Sequence, residues 1–167
     1  GGYTTTNTAN VESWDGTNWT AASNLNQART EQKGTGKSAT AALAIAGNPS
    51  SPSFKTEQWN GSSWTEVAEM NTSRIRCGTA GTSTASLAFL GESPGDVEKK
   101  NEEWNGTSWT EIADLNTERY LCGSGGDGVT DALIHGVRDD NKTHHFYKQG
   151  YDFGLVLWNK LQGDNDG

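Results

Sequence analysis

Apolar residues in this chain occur in short runs between polar turns, and no stretch has the apolar spacing of an amphipathic helix. The runs Ala41–Gly47, Ser86–Gly91 and Ala132–Gly136 have the length of ordinary strands. A Trp followed by Asn-Gly or Asp-Gly stands three times between strand-forming residues, which is the strongest short signal of a β-hairpin. The pattern therefore predicts an all-β chain.

One segment recurs along the chain with a constant spacing. Its form is Glu, one residue, Trp, Asn or Asp, Gly, two small polar residues, Trp, Thr. A second segment with Asn three residues before Arg follows each copy, and it ends at Arg29, Arg74 and Arg119. Cys77 and Cys122 keep the same spacing of 45 residues. The two tryptophans of each copy are Trp14 and Trp19, Trp59 and Trp64, and Trp104 and Trp109. Such regularity indicates an internal repeat.

Each repeat contains four predicted strands within 45 residues, which is the pattern of a β-propeller blade. Residues 1–22 supply a half blade, 23–67 and 68–112 supply complete blades, and 113–167 form a divergent terminal blade. In that last unit we expect Thr143–Lys148 as the third strand and Leu155–Trp158 as the fourth. The total is about three and a half blades. Because closed propellers have 4–8 blades, we expect another chain or a missing segment to complete the ring.

The order of these features resembles a kelch repeat. Gly1-Gly2-Tyr3 matches the kelch diglycine, and the later units keep part of it at Ala46-Gly47, Gly91-Glu92 and Gly136-Val137. The first Trp of each copy stands where kelch repeats carry an aromatic, and the second matches their fourth-strand Trp. The resemblance implies a single kelch-like β-propeller segment. Trp14-Asp15 is similar to the dipeptide of another propeller family, but no unit carries that family's Gly-His partner.

The six repeated tryptophans are predicted to form the structural core. One four-stranded sheet cannot bury both of its faces alone, so stacked neighbours must cover it. Large aromatic side chains are suited to fill that space. The expectation covers Trp14, Trp19, Trp59, Trp64, Trp104 and Trp109.

Composition and charge exclude several classes of function. The chain has 167 residues, of which only 32% are hydrophobic, with 21 Gly and 7 Trp. Its net charge of −8, without a basic stripe, predicts neither nucleic-acid binding nor attraction to anionic membranes. No apolar run approaches the ~18 residues of a membrane helix. Two cysteines make neither a disulfide scaffold nor a four-ligand zinc site.

No residue pattern predicts a catalytic site, a cofactor or a metal. Gly34–Ser38 resembles the end of a phosphate-binding loop, but Glu31 stands where that loop needs Gly. All three histidines lie in the last unit, where His135 would need His144 or His145 and a carboxylate to hold a metal. Copper oxidases of the kelch-like galactose-oxidase type use Tyr and His ligands, and the three similar units contain no His.

Ligand contacts are predicted in the loops that differ between repeats, since repeated residues serve packing in every unit. These loops are Asn48–Lys55, Glu92–Lys100 and Arg138–His145. Loops of a scaffold are where binding residues usually lie. The candidate binding residues are Arg138, Asp139, Asp140, His144, His145, Glu92, Asp96 and Lys99.

Near-identical blades rich in Thr, Asn, Ser and Gly resemble propeller repeats of bacteriophage tail or fibre proteins and of environmental-bacterial surface proteins. That resemblance implies a virion, extracellular or cell-surface location. It also implies a non-catalytic binding module that recognises a host glycan or protein. The alternative is a purely structural virion or assembly scaffold. A third reading is a fragment of a kelch-like oxidase-type enzyme.

Overall fold

The computed structural model describes residues 1–94, 96–116 and 123–135, and this part of the chain is all-β with no helix. Its strands are short, as expected from a chain rich in Gly, Asn and Ser turns. In chain order they are β1 (Gly2–Tyr3), β2 (Asn7–Thr8), β3 (Val11–Trp14), β4 (Trp19–Ala22), β5 (Lys33–Ser38), β6 (Ala41–Ile45), β7 (Thr56–Trp59), β8 (Trp64–Val67), β9 (Gly78–Gly81), β10 (Ser86–Phe89), β11 (Glu92–Ser93), β12 (Asp96–Val97), β13 (Asn101–Trp104), β14 (Trp109–Ile112), β15 (Gly123–Gly128) and β16 (Asp131–His135).

Two four-stranded antiparallel sheets dominate the described part of the chain. The first sheet has the strand order β5-β6-β7-β8, and the second has the order β9-β10-β13-β14. The hairpin β3–β4 corresponds to the last two strands of these sheets, and the hairpin β15–β16 corresponds to the first two. Strands β5, β9 and β15 begin at residues 33, 78 and 123, so their starts are 45 positions apart.

The hairpins predicted at the Trp-Asn-Gly and Trp-Asp-Gly sequences are present. In each, the residue after the first Trp accepts hydrogen bonds through its side-chain oxygen from the backbone two and three residues on, as Asn60 Oδ1 does from Ser62 N and Ser63 N. The following Gly has a positive φ, 98° at Gly61. The two tryptophans are therefore direct cross-strand partners, with ring centroids 5.3–5.5 Å apart in the three hairpins.

The diglycine alignment suggested by the sequence is wrong by one residue. Ala42 pairs with Trp59 and Ser86 pairs with Trp104, so equivalent positions of β6 and β10 are 44 residues apart. Gly47 therefore corresponds to Gly91. Both glycines have φ near +100°, and a Cβ would meet a backbone carbonyl at 2.7–2.8 Å in either place. A shorter β9–β10 turn is offset by a longer loop after β10, which restores the 45-residue spacing.

The core lies between successive sheets. One cluster joins the first and second sheets, and its members include Leu43, Cys77 and Trp104. A second cluster contains Leu87 and Phe89, and residues near and on the β15–β16 hairpin pack against it. Each sheet therefore covers a face of its neighbour, which is the arrangement expected when a single sheet cannot bury both faces.

The prediction that all six tryptophans are buried is wrong for Trp14 and Trp19, which are 46% and 65% exposed. Trp59, Trp104 and Trp109 are buried, and Trp64 is half-buried. The difference has a local cause. The Nε1 atoms of Trp59 and Trp104 donate to carbonyls in the turn between the first two strands of their own sheets. In the described part of the chain, the β3–β4 hairpin has no such strands beside it.

The first strands of successive units are joined by side-chain hydroxyls. Thr79 Oγ1 donates to Gly34 O over 3.1 Å, and Ser124 Oγ donates to Thr79 O over 2.8 Å. These three residues are 45 positions apart. These hydrogen bonds therefore join β5, β9 and β15 side by side at the same position along each strand. Within the described residues, no helix is long and apolar enough to cross a membrane.

Trp64 lacks the hydrogen bond that its counterpart makes. Trp109 Nε1 donates to Thr56 Oγ1 over 3.0 Å, whereas Trp64 Nε1 is buried without a partner. For Trp64, the position equivalent to Thr56 is occupied by Val11, whose side chain has no hydrogen-bond acceptor.

We expect Val11→Thr to raise the free energy of unfolding by about 1 kcal/mol, because it supplies the missing acceptor. The reverse change, Thr56→Val, should lower it by about 1–3 kcal/mol, because it orphans Trp109 Nε1. Urea titration of both variants measures the two effects. Loss of stability in Val11→Thr together with no loss in Thr56→Val would contradict this assignment.

Candidate functional site

The most highly organised polar groups in the described structure are two buried ion pairs. Arg29 Nη2 lies 2.7 Å from Glu57 Oε1, and Arg74 Nη2 lies 2.7 Å from Glu102 Oε1. All four side chains are fully buried. Each Arg belongs to the linker before a sheet, and each Glu belongs to that sheet's third strand. The pairs therefore fasten each linker to the sheet that follows it.

Additional hydrogen bonds satisfy both partners. Asn71 donates to Glu102 Oε2 through its backbone N and its Nδ2, at 2.7 and 3.0 Å. Thr72 N donates to Glu102 Oε1, and Arg74 Nη1 donates to Lys100 O. Asn26 makes the same two contacts with Glu57 Oε2. Buried charges are tolerated when they are paired and hydrogen-bonded in this way. We call each set of Asn, Arg and Glu a clamp.

Burial lowers the pKa of the Arg29 guanidinium from its usual value, and the negative charge of Glu57 opposes that shift. In each clamp the Arg and the Glu face each other and also make several hydrogen bonds, so their charged atoms are already occupied. The role of each clamp is therefore structural: it holds the linker against the sheet.

The sequence analysis identified the repeated Asn, Arg and Glu residues but did not predict that the Arg and the Glu form an ion pair. The signal was present, since each Arg precedes its Glu by 28 residues in both units. Both members of a charged pair that recurs at fixed spacing are expected to meet, because a buried charge needs a partner.

The loop Asn48–Lys55 is held by contacts to neighbouring segments. Asn7 Nδ2 donates to Asn48 O and Pro49 O at 2.8 and 2.7 Å. Arg74 N donates to Ser53 O, and Met70 N donates to Phe54 O. Phe54 is nevertheless 43% exposed. The loop therefore presents an apolar side chain on an ordered backbone.

The loop Glu92–Lys100 contains the small hairpin β11–β12. Glu92 exchanges two backbone hydrogen bonds with Ile75 and accepts from Arg76 through its carboxylate at 2.8 Å. Arg76 also pairs with Glu31, the residue 45 positions before it. Ser93 Oγ donates to Glu98 Oε1 at 2.6 Å. The loop thus has a charged, ordered base. It lies at the same end of its sheet as Asn48–Lys55, since both connect the second and third strands.

Three of the eight predicted binding residues are within the described structure. Glu92 is engaged by Arg76, Asp96 begins β12, and Lys99 is exposed. The other five, Arg138, Asp139, Asp140, His144 and His145, lie outside the described residues, as do Cys122 and the strands predicted at 143–148 and 155–158.

The other sequence motifs have ordinary places in the fold. Gly34–Ser38 belongs to strand β5, and Cys77 is buried. His135 ends β16 and is exposed. Over residues 1–94, 96–116 and 123–135, no three His, Cys, Asp or Glu side chains come together as a metal site would require.

An open cleft of about 800 Å³ lies beside the first sheet. Its walls include the β5 residues Lys33–Ser38, the β6 residues Ala42–Ala44, and Trp64. Val11 from β3 and Leu25 from the following linker close another side. Thr79–Gly81 of β9 and Ser124–Gly126 of β15 also line the cleft, which therefore runs along the first strands of three successive units.

No protein-family model and no curated protein sequence matches this chain.

Proposed function

We propose that the chain is a segment of a kelch-like β-propeller that acts as a non-catalytic binding module. Its place would be a virion or a cell surface, and its ligand would be a host glycan or protein. The observation that supports this most strongly is that the repeated residues and the variable loops have different roles. Residues that recur every 45 positions form the clamps and the tryptophan hairpins, whereas the loops after the second strands differ in sequence.

The stacked sheets support the propeller part of the proposal. Each sheet is a four-stranded antiparallel meander, and the first strands of successive units lie side by side. Propellers arrange four-stranded sheets radially with their first strands around the centre. Equivalent loops then converge at one end of the ring, where several can touch one ligand.

The two loops offer different chemistry to that ligand. Asn48–Lys55 exposes Phe54, and Glu92–Lys100 carries three acidic and two basic residues. An exposed aromatic ring can stack on an apolar sugar face or a protein side chain. Contacts made by the charged loop should weaken as salt is added, because exposed charges are screened.

A loop exchange tests the proposal. We expect replacement of Glu92–Lys100 by the eight residues Asn48–Lys55 to preserve folding, since Gly47 and Gly91 correspond and both loops join equivalent strands. Binding is measured on a glycan array and by adsorption to host cells, with the parent protein. Phe54→Ala in the other loop provides a second variant, and Thr65→Ala, at an exposed position of β8, serves as the control outside both loops.

Weaker attachment of a loop variant, with an unchanged melting temperature, would support loop-mediated recognition. Unchanged attachment of both loop variants would remove these loops from the site. If the intact protein attaches to neither glycans nor cells, the structural-scaffold function is favoured. The buried clamps and the hydroxyl contacts between units are the observations that favour that second candidate.

A further inference from the structure

The tryptophan hairpins share one exposed turn, and its first residue differs between the units. Asn60-Gly61 and Asn105-Gly106 form it in the two complete sheets, whereas the first hairpin has Asp15-Gly16. These are the two Asn-Gly dipeptides of the sequence. Both asparagines are exposed, and the Gly after each has a positive φ of 96–98°. The turn joins the third strand to the fourth, so it lies at the opposite end of the sheet from the loops after the second strands.

An Asn that is followed by Gly can react with its own backbone. The backbone N of the Gly attacks Cγ of the Asn and gives up its proton, and Nδ2 takes a proton and leaves as ammonia. A succinimide ring is formed. Water then opens this ring at the former side-chain carbonyl, which gives Asp, or at the backbone carbonyl, which gives isoaspartate. Gly favours the reaction because it has no side chain to hinder the attack.

The turn surrounds the reacting carbonyl with hydrogen-bond donors. Ser62 N, Ser63 N and Ser62 Oγ each donate to Asn60 Oδ1 over 3.0 Å. The equivalent three donors lie 2.8–2.9 Å from Asn105 Oδ1. Negative charge develops on this oxygen when the backbone N attacks Cγ, and donors placed around a developing oxyanion stabilise it. The same hydrogen bonds hold the side chain over the turn, which lowers the entropic cost of closing the ring.

The first hairpin already contains the aspartate product at the equivalent position. Asp15 Oδ1 accepts from Thr17 N and Asn18 N over 2.8 Å, which are the backbone contacts that the asparagines make in the other hairpins. The backbone N–H groups of Asn18 and Thr17 lower the pKa of the Asp15 carboxyl, so these contacts favour the carboxylate. The tryptophan pair keeps nearly the same spacing, 5.5 Å in this hairpin and 5.3 Å in the next. An aspartate at this position is therefore compatible with the turn.

We propose that Asn60 and Asn105 are modification sites at which the turn promotes their deamidation by water and accommodates the Asp that forms. The reaction uses the Asn amide, the backbone N of the next residue and water, so it requires neither an enzyme nor a cofactor. Each conversion adds a negative charge at the tip of a hairpin, in a chain whose net charge is already −8. The loops after the second strands are unaffected.

Timed incubation of the purified protein, followed by peptide mass mapping, tests the proposal. We expect both sites to lose ammonia roughly 5-fold faster in the folded chain than in the urea-unfolded chain, the effect of about one net hydrogen bond. Ser62→Ala removes the hydroxyl donor at Asn60 and should slow that site by a similar factor. Asn105 in the same molecule is the matched control and should keep its rate. Thr107→Ala should give the reciprocal result.

Conversion that is no faster in the folded chain than in the unfolded chain would overturn the proposal, because the turn would then give no assistance. An unchanged rate at Asn60 in Ser62→Ala would overturn it as well. Asn60→Asp tests separately whether the turn accommodates the product. We expect this variant to keep the melting temperature and the circular dichroism of the wild type, and a clear fall in melting temperature would contradict that part.

Discussion

Glu102→Gln should lower the free energy of unfolding by about 3–5 kcal/mol, the largest effect we expect from a change of charge. The substitution leaves Arg74 fully buried without its carboxylate, and removing one partner of a buried pair costs about that much. It also weakens the acceptor for the backbone N of Asn71 and Thr72. Urea titration followed by tryptophan fluorescence measures the change.

The control for this prediction is Glu111→Gln. Glu111 pairs with Lys100 at 3.5 Å, and both side chains are about half exposed. Exposed pairs contribute about 0–1 kcal/mol, so stability should change little. Equal losses in the two variants would contradict the distinction between the buried clamp and the surface pair.

Trp104→Ala should cost about 3–5 kcal/mol, the usual range for removing a buried aromatic side chain. Trp104 is fully buried in the cluster between the first and second sheets, and its Nε1 donates to Ser83 O. The matched control is Tyr3→Ala, since Tyr3 is 67% exposed and surface changes usually stay within about 0.5 kcal/mol. A loss under 1 kcal/mol for Trp104→Ala, measured by thermal and urea unfolding, would show that the cluster is not the core.

The all-β class and the hairpins could be predicted from the sequence because both depend on local chemistry. Trp-Asn-Gly dictates a turn through the Asn side chain and the positive φ of Gly, and neither needs a distant partner. The expected order of four strands per unit also follows from runs and turns alone.

Burial could not be predicted equally well, because it depends on neighbours. Trp14 and Trp104 occupy the same place in their hairpins, yet one is half exposed and the other fully buried. The sequence treats them alike, but Trp104 has β10 beside its strand and the first sheet packed against it, whereas β3 pairs only with β4 among the described residues. Repetition predicts equal environments only for units with equal neighbours.

The diglycine alignment shows a similar limit. The β9–β10 turn is one residue shorter than the β5–β6 turn, and the loop after β10 is one residue longer than the loop after β6. The tryptophans therefore keep their 45-residue spacing, which hides the difference. The strand pairing is what aligns Gly47 with Gly91.

The candidate site in the loops was predicted from the differences between them. The ion pair between Arg76 and Glu92, however, joins residues 16 positions apart, and no local sequence pattern predicts it.

If the repeated residues encode packing, a double-mutant cycle on Arg74 and Glu102 should reveal strong energetic coupling between these two side chains. The cycle compares Arg74→Met, Glu102→Gln and the double variant by urea titration, with the same cycle on Lys100 and Glu111 as reference. We predict a coupling free energy of about 2–3 kcal/mol for the buried pair and about 0.5 kcal/mol or less for the exposed pair. A coupling for the buried pair no larger than that for the surface pair would show that the repeated Arg and Glu do not stabilise the packing.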